Sequence, residues 1–140
     1  MTRMTRGYQF CAAHRLHTPA LSAEKNRELY GKCNNPWGHG HNYRVEISVT
    51  GAVGPDSGQL VSVNALDKLV QRAVLCDFDH SDLNRDIAAF GSGMVPTSEN
   101  VAVEIWRRLA EAWPADFPEL AGVRLWETKR NIFELTNEEQ

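Results

Sequence analysis

An alternating segment in the first half of the chain places the strongest constraint on the fold. From Tyr43 to Thr50, apolar residues occupy every second position and polar residues occupy the positions between them. Side chains of a β-strand point alternately to its two faces, so this segment predicts a strand with one buried and one solvent-facing side. The buried side needs an apolar layer against it. Helical segments later in the chain can supply that layer.

Two helical patterns follow the alternating strand. In the first, Asn64 is expected to cap a helix whose apolar residues recur at helical spacing as far as Val74. The second begins in the Pro96–Glu99 segment and carries an apolar stripe that includes Val101 and ends at Ala112. The remaining predicted elements are a strand ending near Ala13, a short helix over Ala23–Tyr30 between Ser22 as cap and Gly31 as stop, a short extended piece over Gln59–Val63, and strands over Val123–Thr128 and Ile132–Leu135. Their order predicts an α+β fold, a four-stranded antiparallel sheet with two helices packed on one face.

Length and composition limit the classes of protein that this chain can represent. Its 140 residues and 42% hydrophobic content predict a single domain over residues 1–140, with a core from about 8 to 135. The net charge of −3 argues against a nucleic-acid surface. No apolar run approaches the roughly 18 residues of a membrane span, and the amino terminus does not resemble a secretion signal. Three widely spaced cysteines fit a reducing compartment, so we expect a cytoplasmic protein.

Histidines immediately before the alternating strand indicate a metal site. If His41 opens the strand and His39 lies just before it, both rings fall on one face and can reach one ion. A catalytic zinc takes about three protein ligands, and His14, at the end of the first predicted strand, is the expected third. His17 is the alternative third ligand, although its position before Pro19 is more typical of a solvated loop. Cys33 places a thiol beside these histidines.

A second cluster of polar residues surrounds His80. The segment from Asp77 to Asn84 concentrates carboxylates around this histidine directly after a predicted helix. Asp79 beside His80 can fix the tautomer of the imidazole and raise its basicity, as a general acid or base requires. A solvated connection between two elements is the alternative interpretation, and the segment alone does not exclude it.

Five segments in the same order together resemble the 6-pyruvoyl-tetrahydropterin synthase family, whose members share the tunnelling fold and include 6-carboxytetrahydropterin synthase of the queuosine pathway. The resemblance runs from about Tyr8 to Leu135. Its segments are Ala-Ala-His14-Arg15-Leu16, Gly31 to Tyr43, Asp79-His80, Thr97-Ser98-Glu99-Asn100-Val101-Ala102-Val103 and Glu127-Thr128.

The resemblance implies a role for each matching residue. His14, His39 and His41 match the zinc ligands, Cys33 matches the catalytic thiol, and Asp79 with His80 matches the pair that completes proton transfer. Glu127 matches the carboxylate that anchors the pterin ring, and Thr97, Ser98 and Glu99 are expected to contribute to substrate binding. Zinc, Lys32 and His80 are expected to lower the pKa of Cys33. The family also implies a homohexamer of two stacked trimers, with active sites at subunit interfaces.

Spacing within the matching segments favours one branch of the family. Cys33 and His39 lie six positions apart, as in the pyruvoyl-forming type, and Asn64 also fits that type. The implied reaction converts 7,8-dihydroneopterin triphosphate to 6-pyruvoyl-tetrahydropterin, and the alternative is 6-carboxytetrahydropterin formation with acetaldehyde release. Trp37 and Trp126 depart from the usual family residues at the expected pocket rim.

Two function classes outside the family also have to be weighed against the residues. A metal-dependent hydrolase using the three histidines would need a carboxylate to activate zinc-bound water, and it has no use for Cys33. A non-catalytic zinc-binding module would close its metal site with a fourth protein ligand. The combination of Cys33, Asp79, His80 and Glu127 argues against both classes.

Overall fold

The computed structural model describes residues 1–137 and contains one five-stranded sheet with helices on one face. The strands are β1 (Thr2–His14), β2 (His39–Gly51), β3 (Ser81–Asp82), β4 (Glu119–Trp126) and β5 (Ile132–Thr136). The helices are α1 (Ala23–Tyr30), α2 (Val63–Val70), α3 (Cys76–Phe78), α4 (Leu83–Asp86), α5 (Ala88–Gly91) and α6 (Ser98–Ala112). A 3₁₀ turn (Gly31–Asn34) follows α1, and a π-helical turn (Gln71–Leu75) joins α2 to α3.

The sheet confirms the predicted α+β fold and adds one short strand to it. Its order is β3-β1-β2-β4-β5, and the last four of these strands pair antiparallel as predicted. The additional strand β3 runs parallel to β1 and pairs through only two residues, Ser81 and Asp82. A pairing this short leaves no alternating pattern in the sequence, which explains why no strand was predicted there.

The alternation in β2 builds the core of the protein. Tyr43, Val45, Ile47 and Val49 are all at most 1% exposed and face the helices. Ser48 was expected to face solvent but is buried, because it lies between Thr5 of β1 and Gly122 of β4, and its hydroxyl contacts that of Thr5 at 2.7 Å.

Two local predictions around α2 were wrong. Ser62, not Asn64, caps the helix, since the Ser62 hydroxyl accepts a hydrogen bond from the Ala65 amide at 3.2 Å. Asn64 lies within the first turn and is exposed. The expected extended piece over Gln59–Val63 forms no strand in the part of the chain described, because the Gln59 carbonyl instead closes a turn with Gly54 and Val63 opens the helix.

Helix α6 follows its predicted pattern closely. Thr97 caps it by accepting a hydrogen bond from the Asn100 amide, and Val101, Ile105 and Leu109 are fully buried. Ala112 is exposed at the end of the helix, so the buried stripe is one turn shorter than predicted. None of the helices among residues 1–137 combines the length and apolar character that crossing a membrane requires.

Candidate active site

The pairing of β1 with β2 brings the predicted metal ligands to one end of the sheet. His14 pairs with His39, and His41 pairs with Ala12 two positions further along. Residues directly opposite each other in an antiparallel pair share a face, and that face alternates with period two. The register therefore places all three histidines on the same face as the buried Tyr43.

The three imidazole rings are in mutual proximity around His41. The ring centroids of His14 and His41 lie 4.9 Å apart, and those of His39 and His41 lie 4.7 Å apart. Cys33 joins this group from the 3₁₀ turn, and one ligand atom each from His14, Cys33 and His41 lie within 4.8 Å of one another. We refer to His14, Cys33, His39 and His41 as the histidine–thiol cluster.

Hydrogen bonds between two loops hold Cys33 in place. The Leu16 amide donates to the Cys33 carbonyl at 2.7 Å, and the buried Asn34 side chain donates to the Leu16 carbonyl at 2.7 Å. The segment after β1 is thereby joined to Cys33 and to the residue that follows it. These two hydrogen bonds explain how the chain, after the eighteen residues that separate His14 from Cys33, brings the thiol back beside that histidine.

The surroundings of His14 and His41 favour the neutral imidazole that a metal requires. The Nδ1–H of His14 donates to the Pro96 carbonyl at 2.8 Å, which leaves the Nε2 lone pair free. Burial lowers the pKa of both His14 and His41, although the negative charge of Glu127 opposes the shift, so both rings tend towards the neutral form. The Nε2 atoms of both rings are buried and have no hydrogen-bond partner among residues 1–137.

Two buried nitrogen atoms without hydrogen-bond partners are costly unless something else binds them. Zinc binds nitrogen at about 2.1 Å and sulfur at about 2.3 Å, so the ligand atoms of a tetrahedral site lie roughly 3.6 Å apart. The ligand atoms of His14, Cys33 and His41 lie within 4.8 Å of one another, so their side chains would move closer together around an ion. These residues therefore fit a metal ion. His39, a predicted ligand, is not one of the three residues whose ligand atoms converge; it is exposed, and its ring centroid lies 4.7 Å from that of His41.

Glu127 lies on the other side of His41. Its Oε1 atom is 3.6 Å from His41 Nε2, beyond hydrogen-bond length, and its Oε2 atom accepts a hydrogen bond from the buried hydroxyl of Ser98. The Glu127 side chain is 16% exposed, so a ligand can still reach it. A carboxylate held in this way can accept hydrogen bonds from adjacent N–H groups of a planar ring.

Asp79 and His80 form the predicted carboxylate–imidazole pair beside β1. Their Oδ1 and Nδ1 atoms lie 3.1 Å apart, and Asp79 Oδ1 also accepts a hydrogen bond from the Cys11 amide at 2.9 Å. The hydrogen bond from the Cys11 amide is the main reason why the pKa of Asp79 is lowered. His80 has a left-handed φ of 59°, which is uncommon outside glycine, and its own amide donates to the Cys11 carbonyl. The strained turn presents an imidazole that is 81% exposed.

The structure brings some of the predicted site residues together and leaves others apart. Ser98 and Glu127 contact the histidine–thiol cluster or each other, whereas Asp79 and His80 form no hydrogen bond or ion pair with Cys33 among the described residues. Thr97 serves as the cap of α6, and Glu99 is exposed in its first turn.

The protein environment of Cys33 acts against the predicted direction of its pKa. Burial raises the pKa of the thiol, and the negative charge of Glu127 raises it further. The expected lowering by Lys32 and His80 is therefore absent from this structure. A positive charge placed among the histidines would act in the opposite direction.

Two groups at the site were not recognised in the sequence. The Tyr43 hydroxyl lies 3.3 Å from His14 Nδ1, and its spacing two residues after His41 was a usable signal. Burial raises the Tyr43 pKa, which keeps the phenol protonated. The Pro96 carbonyl that orients His14 gave no signal, because any residue supplies a carbonyl and the contact spans 82 positions.

Comparison with known proteins shows similarity along nearly the whole chain. Residues 3–138 match the family model described as 6-pyruvoyl tetrahydropterin synthase. A protein of Poecilia reticulata named 6-pyruvoyl tetrahydrobiopterin synthase is 44% identical over 129 residues, covering 92% of this chain and 86% of its own length. The human protein of the same name is 41% identical over 130 residues, covering 93% and 88%.

Solved structures agree with these matches. The structure of Caenorhabditis elegans 6-pyruvoyl tetrahydropterin synthase is similar with a TM-score of 0.88 and 37% identity, over 97% of this chain and 95% of that one.

A protein of Archaeoglobus fulgidus named as a putative 6-carboxy-5,6,7,8-tetrahydropterin synthase matches a shorter region, with 37% identity over 92 residues and 66% of this chain.

Proposed function

This chain belongs to the 6-pyruvoyl tetrahydropterin synthase family, and we propose that it is a zinc-dependent lyase that converts 7,8-dihydroneopterin triphosphate to 6-pyruvoyl-tetrahydropterin. The observation that carries the proposal is the pair of buried, unpartnered Nε2 atoms of His14 and His41 beside the Cys33 thiol. The Cys33 thiol and the imidazoles of His14 and His41 lie close together, and the Glu127 carboxylate lies beside His41. That combination fits proton transfer on a metal-bound substrate better than it fits a closed structural metal site.

In this proposal His14, His39 and His41 hold the zinc ion. When bound, zinc supplies a Lewis acid that makes protons next to the substrate's side-chain oxygens more acidic. Cys33 lies beside the proposed ligands, where its thiolate can take a proton from the substrate side chain. Glu127, held by Ser98, accepts hydrogen bonds from the pterin ring and fixes its orientation.

The proposed reaction needs no external oxidant or reductant. The carbon–oxygen bond to triphosphate breaks, and electrons from the side chain reduce the ring, so pyruvoyl product and triphosphate together contain all atoms of the substrate. Proton removal from carbon and proton return are therefore the steps that the protein has to perform. The Asp79–His80 pair is the proposed second proton-transfer group.

Asp79 and His80 reach Cys33 most simply across a subunit interface. His80 is exposed, lies in a left-handed turn and forms no hydrogen bond or ion pair with Cys33 of its own chain among residues 1–137. We therefore propose a homohexamer of single-domain chains with shared active sites. Inactive Cys33→Ala and His80→Ala chains refolded together should regain activity, because some sites would then receive Cys33 and His80 from different chains. Activity that stays absent in the mixture, or a monomer by light scattering, would contradict this arrangement.

The product distinguishes the two branches of the family. Zinc-loaded protein should be incubated with 7,8-dihydroneopterin triphosphate and the products identified by mass spectrometry. We expect 6-pyruvoyl-tetrahydropterin and inorganic triphosphate in equal amounts. Release of acetaldehyde would instead assign the chain to the carboxy-forming branch, and an unchanged substrate would refute both assignments.

A further inference from the structure

A cavity next to the histidine–thiol cluster has an unusually positive lining. It has a volume of about 430 Å³ and lies between the segment after β1, helix α1 and the 3₁₀ turn. Its charged and titratable lining residues are Arg15, His17, Arg27, Lys32 and His39, and no aspartate or glutamate among residues 1–137 lines it. We call it the basic cavity. In a chain with a net charge of −3, this concentration of positive charge points to an anionic ligand.

Within the part of the chain that the structure describes, the arginines and the lysine of the basic cavity have no acidic partners. Among residues 1–137, Arg15, Arg27 and Lys32 form no ion pair, whereas the arginines on α6 are paired with carboxylates of the same helix. Arg15 uses its Nε–H to donate to the Asn34 carbonyl at 3.2 Å, and its terminal nitrogens have no described partner. Three full positive charges are therefore available to a ligand in the cavity.

The basic cavity and Glu127 adjoin different histidines of the cluster, which indicates how a bound substrate would be oriented. Glu127 contacts His41, while the basic cavity begins at His39, the neighbouring ring of the cluster. Lys32 lines the cavity and directly precedes Cys33. A substrate with its ring at Glu127 and its reacting carbons beside Cys33 would extend its far end into the cavity.

We propose that the basic cavity binds the triphosphate of the substrate and holds it as the leaving group departs. This inference rests on the proposed function, which places a pterin triphosphate in the site. Arg15, Arg27 and Lys32 supply charge-assisted hydrogen bonds to phosphate oxygens, and arginine can bind them in pairs. Negative charge accumulates on the leaving oxygen as its bond to carbon breaks, so cations placed there stabilise the transition state.

Binding of inorganic triphosphate tests the proposal without turnover. Calorimetric titration should use the full chain as purified, with its zinc content measured before and after because triphosphate chelates metals. Arg27→Ala and Lys32→Ala should each weaken binding by about 10-fold or more, since each removes a hydrogen bond to a charged group. Lys25→Ala is the matched control, because it removes the same charge from α1 without lining the cavity, and it should bind as wild type does.

The outcomes separate this inference from the proposed function. Equal affinities in wild type and both cavity variants, or equal losses in Lys25→Ala, would overturn the cavity assignment even if the enzyme turns over its substrate. Failure to turn over the pterin triphosphate would refute the function, whereas selective loss of triphosphate binding would still support a polyphosphate site. Orthophosphate bound as tightly as triphosphate would overturn the preference for a chain of phosphates.

A competition experiment identifies the source of the triphosphate group. In the Cys33→Ala variant, 7,8-dihydroneopterin triphosphate should displace labelled inorganic triphosphate at a concentration at least about 10-fold lower than ATP requires, because only the pterin also reaches Glu127. The Cys33→Ala/Arg27→Ala double variant should require more of the pterin compound. More efficient displacement by ATP would overturn the assignment to the pterin substrate.

Discussion

Replacement of Glu104 by glutamine should destabilise the protein more than a surface charge deletion does. The Glu104 side chain on α6 is only 3% exposed and accepts hydrogen bonds from Arg107 at 2.7 and 2.9 Å and from Arg108 at 3.2 Å. Removing one partner of a buried pair costs about 3–5 kcal/mol. Arg107 is 57% exposed and water can solvate it after the change, so we expect a smaller loss of about 2–3 kcal/mol.

The same network supports the segment that carries Asp79 and His80. Arg108 Nη1 lies 2.6 Å from Asp77 Oδ2, and its guanidinium carbon lies 5.1 Å from the centre of the Phe78 ring. Glu104→Gln removes the charge that orients Arg108 on one side, so the turn that follows Phe78 should also loosen. The variant should therefore lose turnover as well as stability.

Thermal unfolding at fixed protein concentration measures the effect. A loss of 2–3 kcal/mol corresponds to a decrease in Tm of about 5–10 °C for a chain of this size. Glu111→Gln is the matched control, because that carboxylate is 73% exposed and its one ion pair within residues 1–137 is with Arg107; its effect should stay below about 1 kcal/mol. Equal Tm values for the two variants would refute the reasoning.

The pH dependence provides a second check on Glu104. Hydrogen bonds from Arg107, followed by those from Arg108, hold the Glu104 pKa below its usual value. A carboxylate with a lowered folded-state pKa contributes stability above its unfolded pKa of about 4.3, and this contribution is lost as the pH falls through the folded-state pKa. The difference between wild type and Glu104→Gln should therefore be largest near neutral pH and shrink below about pH 4. A constant difference across this range would contradict the role of charge.

Two further predictions concern the active site. Cys33→Ala should lower turnover by at least about 10²-fold, because a proton-transfer group is lost, and wild-type turnover would refute its role. Ser98→Ala removes the hydroxyl that donates to Glu127, so the KM for the pterin substrate should rise by about 10-fold, measured by steady-state kinetics with zinc content checked. Thr97→Ser keeps the cap of α6 and is its control; an unchanged KM in Ser98→Ala would show that the hydroxyl does not position Glu127.

The parts of the fold that the sequence predicted are those with local periodic patterns. The alternation from Tyr43 to Thr50 and the stripe of Val101, Ile105 and Leu109 follow directly from the geometry of strands and helices. His14 and His39 could be expected to meet because each lies at the end of a strand pattern. The predicted cap of α2 was wrong because Ser62 and Asn64 are both good capping residues, and the local sequence does not distinguish between them.

The parts that could not be predicted depend on contacts between distant segments. The Pro96 carbonyl at His14 and the Cys11 amide at Asp79 are backbone groups, which carry no residue-specific signal. The basic cavity was missed for a related reason: Arg15, Arg27 and Lys32 are separated in the sequence and converge only when α1 folds against the segment that follows β1. The raised pKa of Cys33 likewise depends on burial and on Glu127, 94 positions away.

Zinc content tests the central claim most directly. Metal analysis of purified wild-type protein should find about one zinc ion per chain, with marked loss in His39→Ala and His41→Ala. His17→Ala, the alternative third ligand, and Cys33→Ala should both keep their zinc, because neither residue is a proposed ligand. Near-full zinc occupancy in both His39→Ala and His41→Ala would contradict the account, and so would loss of zinc in Cys33→Ala with retention in His39→Ala.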